Sequence, residues 1–177
     1  LNLSSVTTDL AITVHASGAV SISDGTSTVD NVSGIENIIG GTGTNTYTFE
    51  DGATLAGTIS GGSNVLDYSA STTAIAIDLS SGTATGIGGV TNIVSVIGGS
   101  DSDTLMGPAG AADWSITAAN TGAVAGTSFS NIENLVGNDG ADSFVFADGA
   151  SVAGDVTGGD GSDTLDQSAS TTDVTID

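Results

Sequence analysis

The chain of 177 residues carries 21 acidic side chains, no Lys or Arg and no Cys, for a net charge of −21 at pH 7. With no cation to neutralise a phosphate, nucleic acid is excluded as a partner, and so is attachment to an anionic membrane face through basic residues. No run of about 18 apolar residues exists, so insertion into a membrane as a spanning helix is not expected.

Of the acids, 18 are Asp and three are Glu. Asp suits tight turns and calcium loops, whereas Glu suits helix surfaces. Such a charge repels itself unless salt or cations sit among the carboxylates. Short runs of Val, Ile, Leu, Phe and Thr supply a narrow core and argue against a disordered tail. The lack of cysteine leaves the compartment open. The lack of Lys and Arg removes every trypsin site, in keeping with life outside a cell.

In chain order, Leu1-Asn2-Leu3-Ser4-Ser5 aligns with two later segments, Leu66-Asp67-Tyr68-Ser69-Ala70 and Leu165-Asp166-Gln167-Ser168-Ala169. It enters without the glycine turn that precedes the other two. That points to a piece of a longer fibre, or to a subunit that continues into another copy. Ile12-Thr13-Val14-His15 follows and holds the only histidine. A lone histidine on a strand reads as structural rather than as part of a Ser-His-Asp site.

Glycine turns then punctuate the chain at Gly40-Gly41, Gly61-Gly62, Gly98-Gly99, Gly137-Asn138 and Gly158-Gly159, in steps of 21, 37, 39 and 21 residues. Short β-forming runs lie between them, among them Tyr47-Thr48-Phe49, Ala74-Ile75-Ala76-Ile77 and Ser143-Phe144-Val145-Phe146. Three segments run into a turn on one template: Gly34 to Gly40, Asn92 to Gly98 and Asn131 to Gly137. Asn37, Ser95 and Asn134 share one position on it and are expected to stack as a polar ladder. Residues 34–61 also match residues 131–158 at an offset of 97.

A beat near 20 residues, or near twice 20, predicts a coil stacked on itself. The expected fold is all-β: a parallel β-solenoid, right-handed by the crossover rule, of about nine rungs of about 20 residues over residues 1–177 as a single domain. The expected rung edges are near 20, 40, 60, 79, 98, 117, 137 and 157. Rungs stack about 4.8 Å apart, and bare ends offer unpaired backbone edges for assembly into a filament or a longer solenoid.

Gly158-Gly159-Asp160-Gly161-Ser162-Asp163-Thr164-Leu165-Asp166 fits the calcium-binding nonapeptide G-G-x-G-x-D-x-U-x throughout. Gly137 to Val145 departs at Asn138, and Gly98 to Met106 departs at Asp101. Asp139 and Asp160 are 21 residues apart, as are Asp142 and Asp163, so each pair is expected on neighbouring rungs. A divalent cation there turns like-charge repulsion into attraction. Asp139, Asp142, Asp160 and Asp163 are therefore the expected calcium ligands, with Asp101 and Asp103 a weaker set.

Taken together, Asn131-Ile132-Glu133-Asn134-Leu135, Gly158 to Leu165, Ser71 to Leu79 and Asp113-Trp114-Ser115-Ile116-Thr117 resemble the repeat regions of giant bacterial surface proteins. Those are hemolysin-type, filamentous-haemagglutinin-like β-helix adhesins. The resemblance implies an extracellular or cell-surface stalk or fibre, structural rather than enzymatic, with a glycan or protein receptor as a further partner. It carries over no catalytic residue. A polysaccharide-active β-helix enzyme is the rival reading, weakened because the acids sit in turns and no Arg or Lys holds an acidic substrate. Ice binding is a third, weakened because the Thr pairs do not recur at one rung position.

Overall fold

The computed structural model describes residues 1–171. Among them there are only strands, turns and loops. β1 (Leu10–Val14), β2 (Val20–Ser23) and β3 (Thr28–Val32) form an antiparallel meander. Single strands follow: β4 (Ile38–Ile39), β5 (Thr44–Phe49), β6 (Leu55–Ser60) and β7 (Ser63–Asp67). A second meander comprises β8 (Ala76–Asp78), β9 (Thr83–Ala84) and β10 (Ile87–Val90). After β11 (Ile93–Ile97) and β12 (Thr104–Met106) comes a third: β13 (Asp113–Ala118), β14 (Thr121–Val124) and β15 (Thr127–Ser130). β16 (Asn134–Val136), β17 (Ser143–Phe146), β18 (Val156–Thr157) and β19 (Thr164–Asp166) complete the described chain.

The strands fall into two sheets. An eleven-stranded sheet has the order β19-β17-β13-β14-β15-β11-β7-β5-β1-β2-β3, and an eight-stranded sheet β18-β16-β12-β8-β9-β10-β6-β4. Single strands alternate between the sheets. Outside the meanders every pairing is parallel, as crossover connections require.

The meanders make the stack interleaved. After β7 the chain enters the eight-stranded sheet three places beyond β6, at β8, and steps back through β9 to β10, which pairs with β6. It crosses to β11 beside β7, then returns to β12 on the far side of β8. The eleven-stranded sheet repeats the manoeuvre: β13 lies three places beyond β11, and β14 and β15 fill the gap.

Only four steps keep the expected beat. Thr44 pairs with Ser63, a step of 19, and Ile38 with Ile59, Leu135 with Val156, and Ser143 with Thr164, each a step of 21. Where a meander intervenes, the step lengthens, to 35 from Leu10 to Asn45 and to 30 from Asp113 to Ser143. The nine uniform rungs are therefore corrected: the expected edges at 20 and 117 fall inside β2 and β13. The cause is local turn chemistry. Gly18 and Asn120 hold positive φ (79° and 51°) in the short turns that join β1 to β2 and β13 to β14 as hairpins.

Strict alternation puts one face of each strand inside. In β5, Asn45, Tyr47 and Phe49 are buried while Thr46 and Thr48 are not. Register then lines the buried residues up. Ile12, Tyr47, Leu66, Val96 and Phe129 form one continuous inner row across five strands. Trp114 stacks on Phe144 (centroids 5.3 Å apart) and meets Phe129 edge-on at 6.0 Å. Phe49 stacks on Tyr68 at 4.7 Å. Each such side chain contributes about 1.5–3 kcal/mol by leaving water.

Trp114→Ala should cost about 3–5 kcal/mol in denaturant unfolding, because the aromatic cluster cannot collapse around the gap. Tyr47→Phe should cost nothing, since the Tyr47 hydroxyl is buried without a hydrogen-bond partner. A Tyr47→Phe variant clearly less stable than the parent would mean that the hydroxyl is satisfied in solution.

Candidate functional site

The glycine turns share an arrangement built from two positions. Five residues after the first glycine of a turn stands Asn45 (from Gly40), Asp103 (from Gly98), Asp142 (from Gly137) or Asp163 (from Gly158). Asn45, Asp103 and Asp142 are buried, and Asn64 joins them from the shorter turn at Gly61. Asn45, Asp103, Asp142 and Asp163 each point back over the glycine that opens their turn. A Cβ at Gly40 would lie 2.6 Å from Asn45 Cγ, and one at Gly98 would lie 2.5 Å from Asp103 Oδ2. Cβ atoms at Gly137 and Gly158 would collide with the carboxylates of Asp142 and Asp163. The glycine is required by the polar side chain folded onto it.

These inward groups staple one level to the next. Asp103 accepts from the Ile75 N–H (2.8 Å), just before β8, and from the Gly99 N–H (2.6 Å) of its own turn. Asp142 accepts from the Ala112 N–H (2.8 Å), and Asp163 from the Asp142 N–H (2.9 Å). Asn45 accepts from the Gly41 N–H and donates to Asn64 Oδ1 (3.2 Å), and Asn64 donates to the Thr91 carbonyl (2.6 Å). Glu133 adds a bridge, accepting from the Asp103 N–H and from Asn120 Nδ2. Burial pushes the Asp103 carboxyl above its ordinary value of 3.8, against the pull of its two N–H donors.

The expected metal residues thus divide. Asp139 and Asp160 are brought together, paired in parallel one ladder step apart and both exposed. Asp142 and Asp163 immediately precede the paired strands β17 and β19, but Asp163 spends its Oδ1 on the Asp142 backbone N–H. Asp142 Oδ2 is buried with no hydrogen-bond partner. Asp103 has both oxygens engaged, while the exposed Asp101 accepts from the Ser102 N–H. Among the described residues, no three His, Asp or Glu side chains gather as a ready metal site.

The expected ladder of Asn37, Ser95 and Asn134 does not form. Ser95 lies on β11 in the eleven-stranded sheet, and Asn134 on β16 in the other. Their side chains reach other neighbours: Asn37 takes the Thr58 N–H, Ser95 the Ser128 hydroxyl, and Asn134 the Asp155 N–H. Template identity did not mean adjacency, because a meander separates the copies.

His15 joins three strands on the outer face. Its Nδ1 lies 2.8 Å from Glu50 Oε1 and its Nε2 lies 2.7 Å from Ser21 Oγ. Glu50 also takes the Ala16 N–H, and the histidine contact holds its carboxyl below the ordinary value. Ser21 Oγ already accepts from the Asn31 N–H, so the group is tied into the sheet. The duplicated segments also share a clasp. Asp51 binds the Thr72 N–H and hydroxyl, and Asp148 binds those of Thr171; both carboxyls are lowered by these bonds.

No protein-family model matches the chain, and neither a curated protein nor a solved structure shows significant similarity to it.

Asp103→Ala should destabilise the protein by about 2–4 kcal/mol, since it leaves two buried N–H donors without an acceptor. Asp101→Ala should stay within about 0.5 kcal/mol as a surface change. Urea unfolding of the two variants separates a staple from a surface carboxylate; equal effects would contradict the assignment.

Proposed function

We propose that the chain is a β-solenoid segment with a structural function, part of an extracellular surface fibre or adhesin. The observation that carries this reading is the pairing of Asp139 with Asp160, in parallel and in register, at the turn where the 21-residue spacing repeats. Stacked coils produce that contact; a globule organised around one central site has no need of it. The polar staples support it further, since they tie each turn to the next level. An exterior of carboxylates without Lys or Arg suits a protease-exposed setting.

Assembly with further copies follows from the ends. Among the described residues, β3 and β19 are the outer strands of the eleven-stranded sheet, and each carries an exposed apolar residue, Val29 at 57% and Leu165 at 48%. Open strand edges of this kind pair with other strands.

Calcium is proposed at the corner formed by residues 138–142 and 159–163. Asp139 and Asp160 supply adjacent carboxylates, and no protein donor meets either among the described residues. In the same turn the buried Asp142 Oδ2 has no hydrogen-bond partner, and a cation nearby would offset that charge too. Turn carbonyls and water complete the shell that calcium needs, and Asp163 holds the backbone of the turn in place. Bound calcium would offset the repulsion between the stacked carboxylates.

Melting should be followed in calcium and in excess chelator, for the parent and for Asp139→Asn/Asp160→Asn. Calcium should raise the parent's Tm by about 4 °C or more, as roughly 1–2 kcal/mol of linkage does at this size. The double variant should lose that gain. An unchanged Tm removes calcium from the reading, and electron microscopy showing only separate particles removes the fibre.

A further inference from the structure

The interleaved topology leaves a window in one wall of the stack. On this edge the chain crosses between the sheets at Thr91-Asn92, from β10 to β11, and again around Pro108, from β12 to β13. Two levels lie between those crossings. There neither sheet crosses: β8 turns back to β9 through residues 79–82, and β14 turns back to β15 through Ala125-Gly126. A coil without meanders would close the wall at these levels. Here the two hairpin turns and the two crossings frame a cavity of roughly 460 Å³.

The frame is rigid. The Thr91 carbonyl accepts from Asn64, the Asn92 amide donates to the Gly61 carbonyl, and the Thr127 hydroxyl donates to the Ile93 carbonyl. The lining is mixed. Leu79, Ile93 and Pro108 offer apolar surface, and Ser80, Thr91 and Asn92 offer exposed polar groups beside it. Ser80 donates its hydroxyl proton to Asp78, which leaves lone pairs on its oxygen to accept from a ligand.

The turn between β14 and β15 is strained where it meets the cavity. Ala125 has φ 48° and Gly126 φ 86°, the pattern of a hairpin turn that favours Asn-Gly. Alanine in the left-handed region costs about 1–2 kcal/mol, and a small side chain here keeps the window open.

We infer that this window is a binding site for a neutral pyranose unit, a sugar ring bearing hydroxyls and no charge. Its volume lies within the range of small-ligand sites. Anionic ligands find no Lys or Arg to hold them. Flat aromatic ligands find no aromatic residue in the lining. A pyranose presents an apolar C–H face for Ile93 and Pro108 and hydroxyls that both donate and accept, which is the combination the wall displays.

The test is a titration followed by amide NMR shifts and calorimetry. The probes are the methyl α-pyranosides of glucose, galactose and mannose, together with N-acetylglucosamine; N-acetylneuraminic acid serves as the anionic comparison. At least one neutral probe should bind in the millimolar range or tighter, moving the amides of Ser80, Thr91 and Asn92. Thr91→Val and Ala125→Asn should each weaken that binding about tenfold, the loss of roughly one polar contact. Ala125→Asn should do so without lowering Tm. The inference is overturned if no neutral probe moves those amides at its solubility limit. It is overturned equally if the anionic sugar binds as well as the neutral ones, or if both variants keep the parent's affinity.

Discussion

Backbone ladders between successive levels hold this protein together, and they close only if each turn returns the chain to the same height on the sheet edge. Parallel pairing imposes that demand, since no tight hairpin can join neighbouring parallel strands. The inward Asn and Asp residues meet it. Asn45, Asp103, Asp142 and Asp163 each lie over the glycine that opens their turn and bind backbone of that turn or of the neighbouring level, so the turn is fixed relative to what lies beside it. Burying a carboxylate such as Asp103 is costly, and the N–H groups aimed at it compensate.

The three meanders act against regularity and make the stack interlock. Because β8 is laid down three places ahead of β6, and the gap is filled afterwards, residues far apart in sequence share each neighbourhood. Trp114, Phe129 and Phe144 meet in one cluster although meander turns and crossings separate them. The same manoeuvre opens the window beside Ala125, where two hairpin turns face each other across the wall. Stability and the cavity therefore have one topological origin.

Much of this was legible in the residues. The alternation of Asn45, Tyr47 and Phe49 announced a strand buried on one face, and the 21-residue spacing placed Asp139 beside Asp160. The nonapeptide pattern located the turns, but not which way their Asp residues face. Direction depends on the glycine five positions earlier, whose missing Cβ leaves room inward, and that relation is visible only once the turn is folded. The meanders were hidden for a different reason. Alternation has the same period in parallel and antiparallel strands, and Gly18 or Gly82 looks like any other glycine in a turn. Ser95 and Asn134 matched by template yet lie in different sheets for that reason.

The interleaving is tested most directly by disulfide trapping, to which the absence of native cysteine lends itself. Ser95 and Ser128 are register partners on β11 and β15, with their hydroxyls 2.9 Å apart. A Ser95→Cys/Ser128→Cys protein should form an intramolecular disulfide under mild oxidation and keep its fold, whereas Ser95→Cys/Ser115→Cys, neighbours in an uninterrupted coil of about 20 residues per rung but three strands apart in this sheet, should not. Cross-linking of the second pair but not the first would show an uninterrupted coil and contradict the topology described here.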